Sequence, residues 1–151
     1  MFSMNELILA CLLCASNPDH THDHDYDYGE LAIVPGATYL VEDKEFAFGL
    51  HLHGLVSVGE SWAIGLGYER IFANHAHNSL GLVVQYNITH HWSVAAAPGI
   101  AFDEHEVGPA IHIETAYSFK LGPLHWGPAL EGAFDMHDSH FTLGAHAGFG
   151  F

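Results

Sequence analysis

The chain has 151 residues, enough for one domain and too few for two ordinary ones. Its 18 acidic and 3 basic residues give a formal charge of -15 with histidine neutral, which argues against nucleic-acid binding because that function needs a basic face. Hydrophobic residues make up 49% of the sequence, too many for a disordered acidic tail. The 15 histidines equal the excess of acids over bases, and imidazoles beside carboxylates suit divalent cations or protons.

The N-terminal segment has the pattern of a secretory signal peptide. Residues 7–15 form an apolar run of signal-peptide length that is too short to span a bilayer. Small residues at Ala15 and Ser16 suit cleavage, so residues 1–16 are predicted to be a signal peptide, although residues 1–6 contain no Lys or Arg. Lipid attachment at Cys11 and a short N-terminal helix are the alternatives. The only other cysteine is Cys14, so the rest of the chain offers no disulfide.

Residues 17–28 form a polar tract without apolar periodicity, which is predicted to be disordered. His20, His22 and His24 alternate in it with aspartates and a threonine. Tracts rich in His and Asp are typical of metal binding. These three histidines are therefore candidate metal ligands.

From residue 29 onward, apolar residues alternate with small or polar ones. In the last segment, for example, Phe141 and Leu143 alternate with Gly144 and His146. A period of two predicts β-strands with one apolar face. The predicted strands are 30–42, 45–58, 62–73, 78–89, 91–103, 107–120, 123–135 and 139–151.

The breaks between these strands fall into two alternating classes. Those at 59–61, 89–91 and 121–123 are tight and carry little charge. Those at 42–44, 73–78, 103–106 and 135–140 are rich in Asp, Glu and His, and three of the four are longer. In an up-and-down meander, alternate breaks lie at the same end, so one rim is predicted to be acidic and His-rich and the other short and plain.

The two faces of the strands favour a membrane barrel over a soluble one. Only 14% of the residues are charged, too few to cover a soluble exterior of eight strands. The low charge is explained if the large apolar residues face lipid and the small or polar ones face a narrow lumen. Eight strands of about ten spanning residues also fit a bilayer. Seven aromatic residues near strand ends are predicted to form interface girdles: Trp62, Trp92, Trp126, Tyr39, Tyr68, Tyr86 and Tyr117. A soluble lipocalin-type barrel is the alternative.

Four features of the sequence indicate a family resemblance. They are the signal-like start, the strand count, the alternation of short turns with longer loops, and a final strand ending on Phe151. Residues 29–151 resemble the small eight-stranded outer-membrane barrels of Gram-negative bacteria, such as the outer-membrane protein A transmembrane domain and its opacity-like relatives. The resemblance implies an all-β, antiparallel up-and-down transmembrane barrel. It also implies a monomer among outer-membrane lipids, with assembly machinery that reads the C-terminal strand. The N-terminal tract and Phe151 would then be periplasmic. The fold implies no particular activity, because it hosts adhesins, enzymes, pores and anchors.

Strand parity predicts which polar side chains face the lumen. The predicted set is His51, His53, Glu69, Gln85, His112, Glu114, His125, Glu131 and His146. Imidazole and carboxylate are the usual ligands of Zn²⁺, and a His-x-His pair on one strand puts both rings on the same face about 7 Å apart. The alternative is a packed polar lumen in which His–Glu hydrogen bonds satisfy one another.

A second candidate set lies on the acidic rim. It comprises His75, His77, Asp103, Glu104, His105, Glu106, Asp135, His137, Asp138 and His140. Acidic groups at a surface raise the local concentration of cations, so this rim is predicted to gather metal ions from outside. The alternative is that these loops are simply solvated.

The pattern as a whole predicts a non-enzymatic barrel that binds divalent ions such as Zn²⁺, with passage across the membrane as an extension of binding. An eight-stranded barrel is narrow, which favours binding over conduction. A structural or adhesive barrel without a metal role is the alternative. A lipid A-modifying acyl hydrolase is a minor one, because His137 and Ser139 resemble the His-x-Ser of outer-membrane deacylases but no matching acidic partner follows.

Overall fold

The computed structural model describes residues 28–73, 77–103, 106–135 and 138–151. The predicted signal peptide, the tract with His20, His22 and His24, and the loop residues His75, Glu104, His105 and His137 lie outside the described residues. The strands are β1 (Gly29–Leu40), β2 (Glu45–Ser57), β3 (Trp62–Phe72), β4 (His77–Asn87), β5 (Trp92–Phe102), β6 (Val107–Tyr117), β7 (Phe119–Leu121), β8 (Leu124–Asp135) and β9 (Ser139–Gly150).

These strands close into an antiparallel barrel. β1 to β6 pair in chain order, β1 also pairs with β9, β9 with β8, and β8 with β6. β7 has only three residues and pairs with the start of β8. The structure is therefore an eight-stranded up-and-down barrel, and the predicted fold class is confirmed.

Most observed strand bounds lie within one or two residues of the predicted ones, and two of the differences have a clear structural cause. The predicted strand 107–120 is interrupted at Ser118, whose backbone N–H donates to the carbonyl of His91 across the neighbouring tight turn, at 2.7 Å. The predicted strand 30–42 stops at Leu40, because residues 41–44 form a turn that ends on Lys44 with a φ of 55°. Turn geometry, which the period-two pattern does not contain, sets both limits.

The outward face of the wall is apolar. Leu66, Trp126 and Leu143 are about 60–66% exposed, whereas Thr38 and Ile71 on the inward face are 0% exposed. Large apolar residues therefore point away from the barrel, as lipid contact requires. None of the described segments is a helix of the length and apolarity that a helical membrane span needs.

Aromatic residues cluster at both ends of the wall. At the end with the tight turns, here called the short-turn end, the rings of Trp62 and Tyr86 lie 4.7 Å apart. At the opposite, long-loop end, the rings of Tyr39 and Phe46 lie 5.0 Å apart. Tyr68 lies further from the strand end, and its hydroxyl donates to Asn78 Oδ1 at 2.8 Å. Two such girdles are the arrangement that membrane interfaces favour.

Candidate metal centres in the barrel lumen

All nine side chains that parity assigned to the lumen are buried in the structure. The most exposed of them, Gln85 and His125, are only 7% exposed. The register places them at matching positions on neighbouring strands: His51 lies opposite Glu69 on β2 and β3, and Glu114 lies opposite Glu131 on β6 and β8. Paired positions on neighbouring strands share a face, so each pair points into the lumen together.

A central cluster forms around Glu131, which is 2% exposed. Its Oε1 lies 2.6 Å from His112 Nδ1, and its Oε2 lies 3.2 Å from His51 Nδ1. The same His51 nitrogen lies 3.3 Å from Glu114 Oε2. The Glu131 carboxylate thus contacts imidazoles from β2 and β6, and the His51 imidazole also contacts the Glu114 carboxylate.

A second cluster lies toward the long-loop end, around Glu69. His140 Nε2 lies 3.2 Å and 3.3 Å from the two oxygens of Glu69, and His112 Nδ1 lies 3.5 Å from Oε2. His140 was assigned to the loop rim by sequence, yet it is 1% exposed and inside the barrel. The reason is that β9 begins at Ser139, so His140 is already in the strand and its parity turns it inward.

His77 was also assigned to the rim, and it occupies the first position of β4. Its Nε2 lies 3.1 Å from Asp135 Oδ2, and its ring lies 5.6 Å from that of His140. This pair extends the polar lumen to the long-loop end.

A third cluster lies toward the short-turn end, around Glu30. Glu30 Oε1 lies 2.9 Å from His53 Nε2 and 3.2 Å from His146 Nε2, and Oε2 lies 3.2 Å from His125 Nε2. Sequence reasoning missed Glu30 as a site residue, because it stands at the border between the polar tract and the first strand. Its parity with the buried Ala32 and Val34 was the available signal.

The three clusters touch one another. His146 Nδ1 lies 3.8 Å from Glu114 Oε1, which joins the Glu30 cluster to the central one, and His112 joins the central one to the Glu69 cluster. Three sets have ligand atoms within 4.8 Å of one another: Glu30, His53 and His146; His51, His53 and Glu114; and Glu69, His112 and His140. The lumen therefore contains an unbroken series of histidines and glutamates.

Several of these buried atoms have no hydrogen-bond partner among the described residues. They are Nε2 of His112 and Nδ1 of His140 and His146. A buried polar atom without a partner is costly, and such atoms are typical of places that take a water or an ion. The donor set is the borderline nitrogen and oxygen set that Zn²⁺ prefers.

The acidic rim residues that the structure describes accept hydrogen bonds from backbone N–H groups of the loops. Asp103 Oδ1 accepts from the backbone N–H of Glu106 at 2.8 Å, and Asp135 Oδ1 accepts from that of Asp138 at 2.8 Å. Asp138 Oδ1 also accepts from the backbone N–H of Glu42 at 3.1 Å. Within the described part of the chain, the candidate metal sets lie in the lumen and not on this rim.

Comparison with known proteins defines the class of the fold. No model of a known protein family matches the sequence, and no curated protein matches it. The barrel is nevertheless similar to solved structures of small transmembrane β-barrels. Neisserial surface protein A superposes with a TM-score of 0.63 at 9% identity, over 82% of this chain and 96% of that one.

Ail, the attachment invasion locus protein of Yersinia pestis, superposes with a TM-score of 0.60 at 11% identity, over 83% of this chain and 100% of that one. A de novo designed transmembrane β-barrel superposes with a TM-score of 0.59 at 12% identity, over 82% and 98% of the two chains. The chain therefore has the fold of the small eight-stranded outer-membrane barrels. At such low identity the likeness concerns the fold alone.

Proposed function

We propose that this protein is an outer-membrane barrel that binds divalent metal ions of the zinc type within its lumen. The observation that carries the proposal is the series of buried His and Glu side chains, in which three sets bring their ligand atoms within 4.8 Å of one another. The similar solved structures support the location, because one is a neisserial surface protein and another is the attachment invasion locus protein of Yersinia pestis.

The distances suit zinc. Ligand atoms at 2.0–2.2 Å from a tetrahedral Zn²⁺ lie about 3.3 Å from one another. The separations of His51 Nδ1 from Glu114 Oε2, 3.3 Å, and of His140 Nε2 from Glu69 Oε2, 3.2 Å, are close to that value.

The charges of the lumen support the same proposal. Four glutamates face the interior, and the three basic residues of the whole chain, Lys44, Arg70 and Lys120, are all exposed. The Arg70 guanidinium lies over the outer ring of Phe72, 5.3 Å from its centroid. In the described part of the chain, each of the four carboxylates lies within 3.3 Å of an imidazole nitrogen, and a bound cation would add to this balance of charge.

The experiment is a zinc titration of the full chain, refolded in detergent, by calorimetry and by competition with a chromophoric chelator. All proteins carry H20A/H22A/H24A, because a His-rich tract binds metal whatever the barrel does. We expect saturable binding at micromolar concentrations or tighter, lost in the added triple variant H51A/H53A/H112A. Binding should also weaken as the pH falls through the range in which free imidazole is protonated, because protons compete for the ligand nitrogens.

The matched control replaces exposed histidines: H90A/H91A, in a tight turn, should bind zinc as the parent does. Binding that is absent, or unaffected by the lumen variant, would contradict the proposal. The lumen would then be a packed polar core, and the barrel a structural or adhesive one.

Passage of the ion is a separate extension of the proposal. The overlapping sets supply successive ligands along the lumen, whereas the side chains that fill it leave little free space for conduction. Zinc entry into proteoliposomes loaded with a zinc-sensitive dye tests it, with the lumen variant as the control. Entry no faster than in that variant would restrict the function to binding.

A further inference from the structure

A cavity reaches the Glu30 cluster from the short-turn end. A cavity of about 310 Å³ lies at the short-turn end, and its lining includes Glu30, Gln85, His125 and His146 together with exposed residues of the tight turns. The side chain of Glu30 is 19% exposed, whereas that of Glu69 is only 2% exposed. Solvent therefore has access to Glu30, while Glu69 is sealed within the barrel.

The imidazoles of this cluster converge on one carboxylate. His53 Nε2 and His146 Nε2 both approach Glu30 Oε1, at 2.9 Å and 3.2 Å. The rings of His53 and His146 lie 5.3 Å apart. Three ligand atoms in this arrangement leave a fourth position for water, as in zinc sites that exchange their ligands.

His125 holds the other side of the same carboxylate. Its Nε2 lies 3.2 Å from Glu30 Oε2, and its ring stacks on His146 with centroids 5.2 Å apart. On β9, Gly148 lies directly opposite His125, and a Cβ at Gly148 would overlap the imidazole. The absence of a side chain at Gly148 therefore makes the space that His125 occupies.

We propose that Glu30, His53 and His146 form the loading site of the lumen, where a divalent transition-metal ion enters from the short-turn end and exchanges with solution. His125 is the positioning residue, since it orients the Glu30 carboxylate through the oxygen that the metal does not use. The inner sets fill through this site. The inference rests on the proposed function, and it adds the point of entry and its direction.

The test uses Co²⁺, whose visible absorption reports coordination, with the full chain carrying H20A/H22A/H24A and refolded in detergent. Stopped-flow mixing measures the rate of metal uptake, and titration measures the number of ions bound. We expect E30Q to remove one bound ion and to slow uptake at the remaining sets by about tenfold or more. Metal uptake at the Glu30 site is expected to be the fast kinetic phase. E69Q, in the buried Glu69 cluster, should leave that phase intact.

A second variant leaves every ligand in place. G148A should displace His125 and weaken binding at the loading site by about tenfold, the usual effect of losing an outer partner of a metal ligand. The matched control is G132A on β8, where an added Cβ would meet Phe141 only at ordinary contact distance, 3.4 Å. Heat-dependent mobility on gels establishes that each variant has folded.

The outcomes separate the two proposals. If the parent binds no Co²⁺ and no Zn²⁺, both the proposed function and the loading site are wrong. If the parent binds metal but E30Q and G148A leave the number of ions and the rate of uptake unchanged, the loading site is overturned and lumen binding stands. Loss of the fast phase in E30Q, together with weaker binding in G148A but not in G132A, supports the loading site.

Discussion

Two sides of the lumen differ in chemistry. β5 contributes only small side chains to the interior, a stretch that we call the alanine wall and define as Ser93, Ala95, Ala97, Gly99 and Ala101. β1, β2, β3, β6, β8 and β9 contribute the histidines and glutamates. An eight-stranded barrel has an interior just wide enough for side chains to fill it. The imidazoles and carboxylates therefore fit inside the barrel because the small side chains of the alanine wall leave room for them.

The two sides of the lumen also stabilise the barrel by different interactions. The alanine wall packs against Leu55, Ala63 and Val83 in an apolar cluster, where close packing is the main requirement. On the polar side every buried acid needs an imidazole, because an unpaired buried charge is costly. Substitutions on the two sides should therefore fail for different reasons.

The largest effect is expected for E131A on the polar side. Glu131 contacts both His51 and His112, so its removal leaves two buried imidazoles without their nearest acceptor. We expect the free energy of unfolding to fall by about 3–5 kcal/mol, measured by urea titration of the refolded barrel. E60A, in an exposed turn, is the control and should change it by less than about 0.5 kcal/mol. Equal effects of the two variants would show that the lumen network does not stabilise the barrel.

A smaller effect is expected when the alanine wall is overfilled. A97L adds three carbons where the lumen is already packed, and should lower the free energy of unfolding by about 1–3 kcal/mol. Ala97 is 6% exposed, whereas its neighbour Ala96 faces outward. A96L is therefore the matched control, and it should be neutral or stabilising in lipid. If A97L is as well tolerated as A96L, the lumen contains more free space than the packing indicates.

The smallest effect concerns a polar pair that involves no charge. Thr38 Oγ1 and Thr142 Oγ1 lie 2.8 Å apart in a buried hydrogen bond between β1 and β9. T38V leaves the Thr142 hydroxyl without this partner and should cost about 1 kcal/mol in unfolding free energy. The double variant T38V/T142V should recover most of the loss, because no buried hydroxyl then lacks a partner. Additive losses in the urea titration would exclude this explanation.

Strand parity was enough to predict the wall. The alternation of large apolar with small residues gave eight strands within a few residues of their observed bounds, and it correctly placed residues such as His51 and Glu131 inside. It could do so because lipid on one side and a narrow lumen on the other make a period of two obligatory.

Parity could not predict which lumen residues meet. Glu69, His112 and His140 come together from β3, β6 and β9, and that depends on the stagger of strands across the barrel, which no local pattern records. His140 was placed on the rim because the start of a strand beside a polar loop is ambiguous. Glu30 was missed for the same reason at the other end. Whether the lumen residues bind metal stays a prediction.

The Glu30 cluster lies across the seam at which the sheet becomes a cylinder. Glu30 and His53 come from β1 and β2, while His125 and His146 come from β8 and β9, and the junction between the two pairs is the contact of β1 with β9. These four side chains share a neighbourhood only after that junction has formed. A metal ion bound there would hold β1 and β2 to β8 and β9 across this junction. At a free concentration of 100 times its dissociation constant, the ion would stabilise the closed barrel by about 2.7 kcal/mol. Metal supply would then influence how long each barrel stays closed.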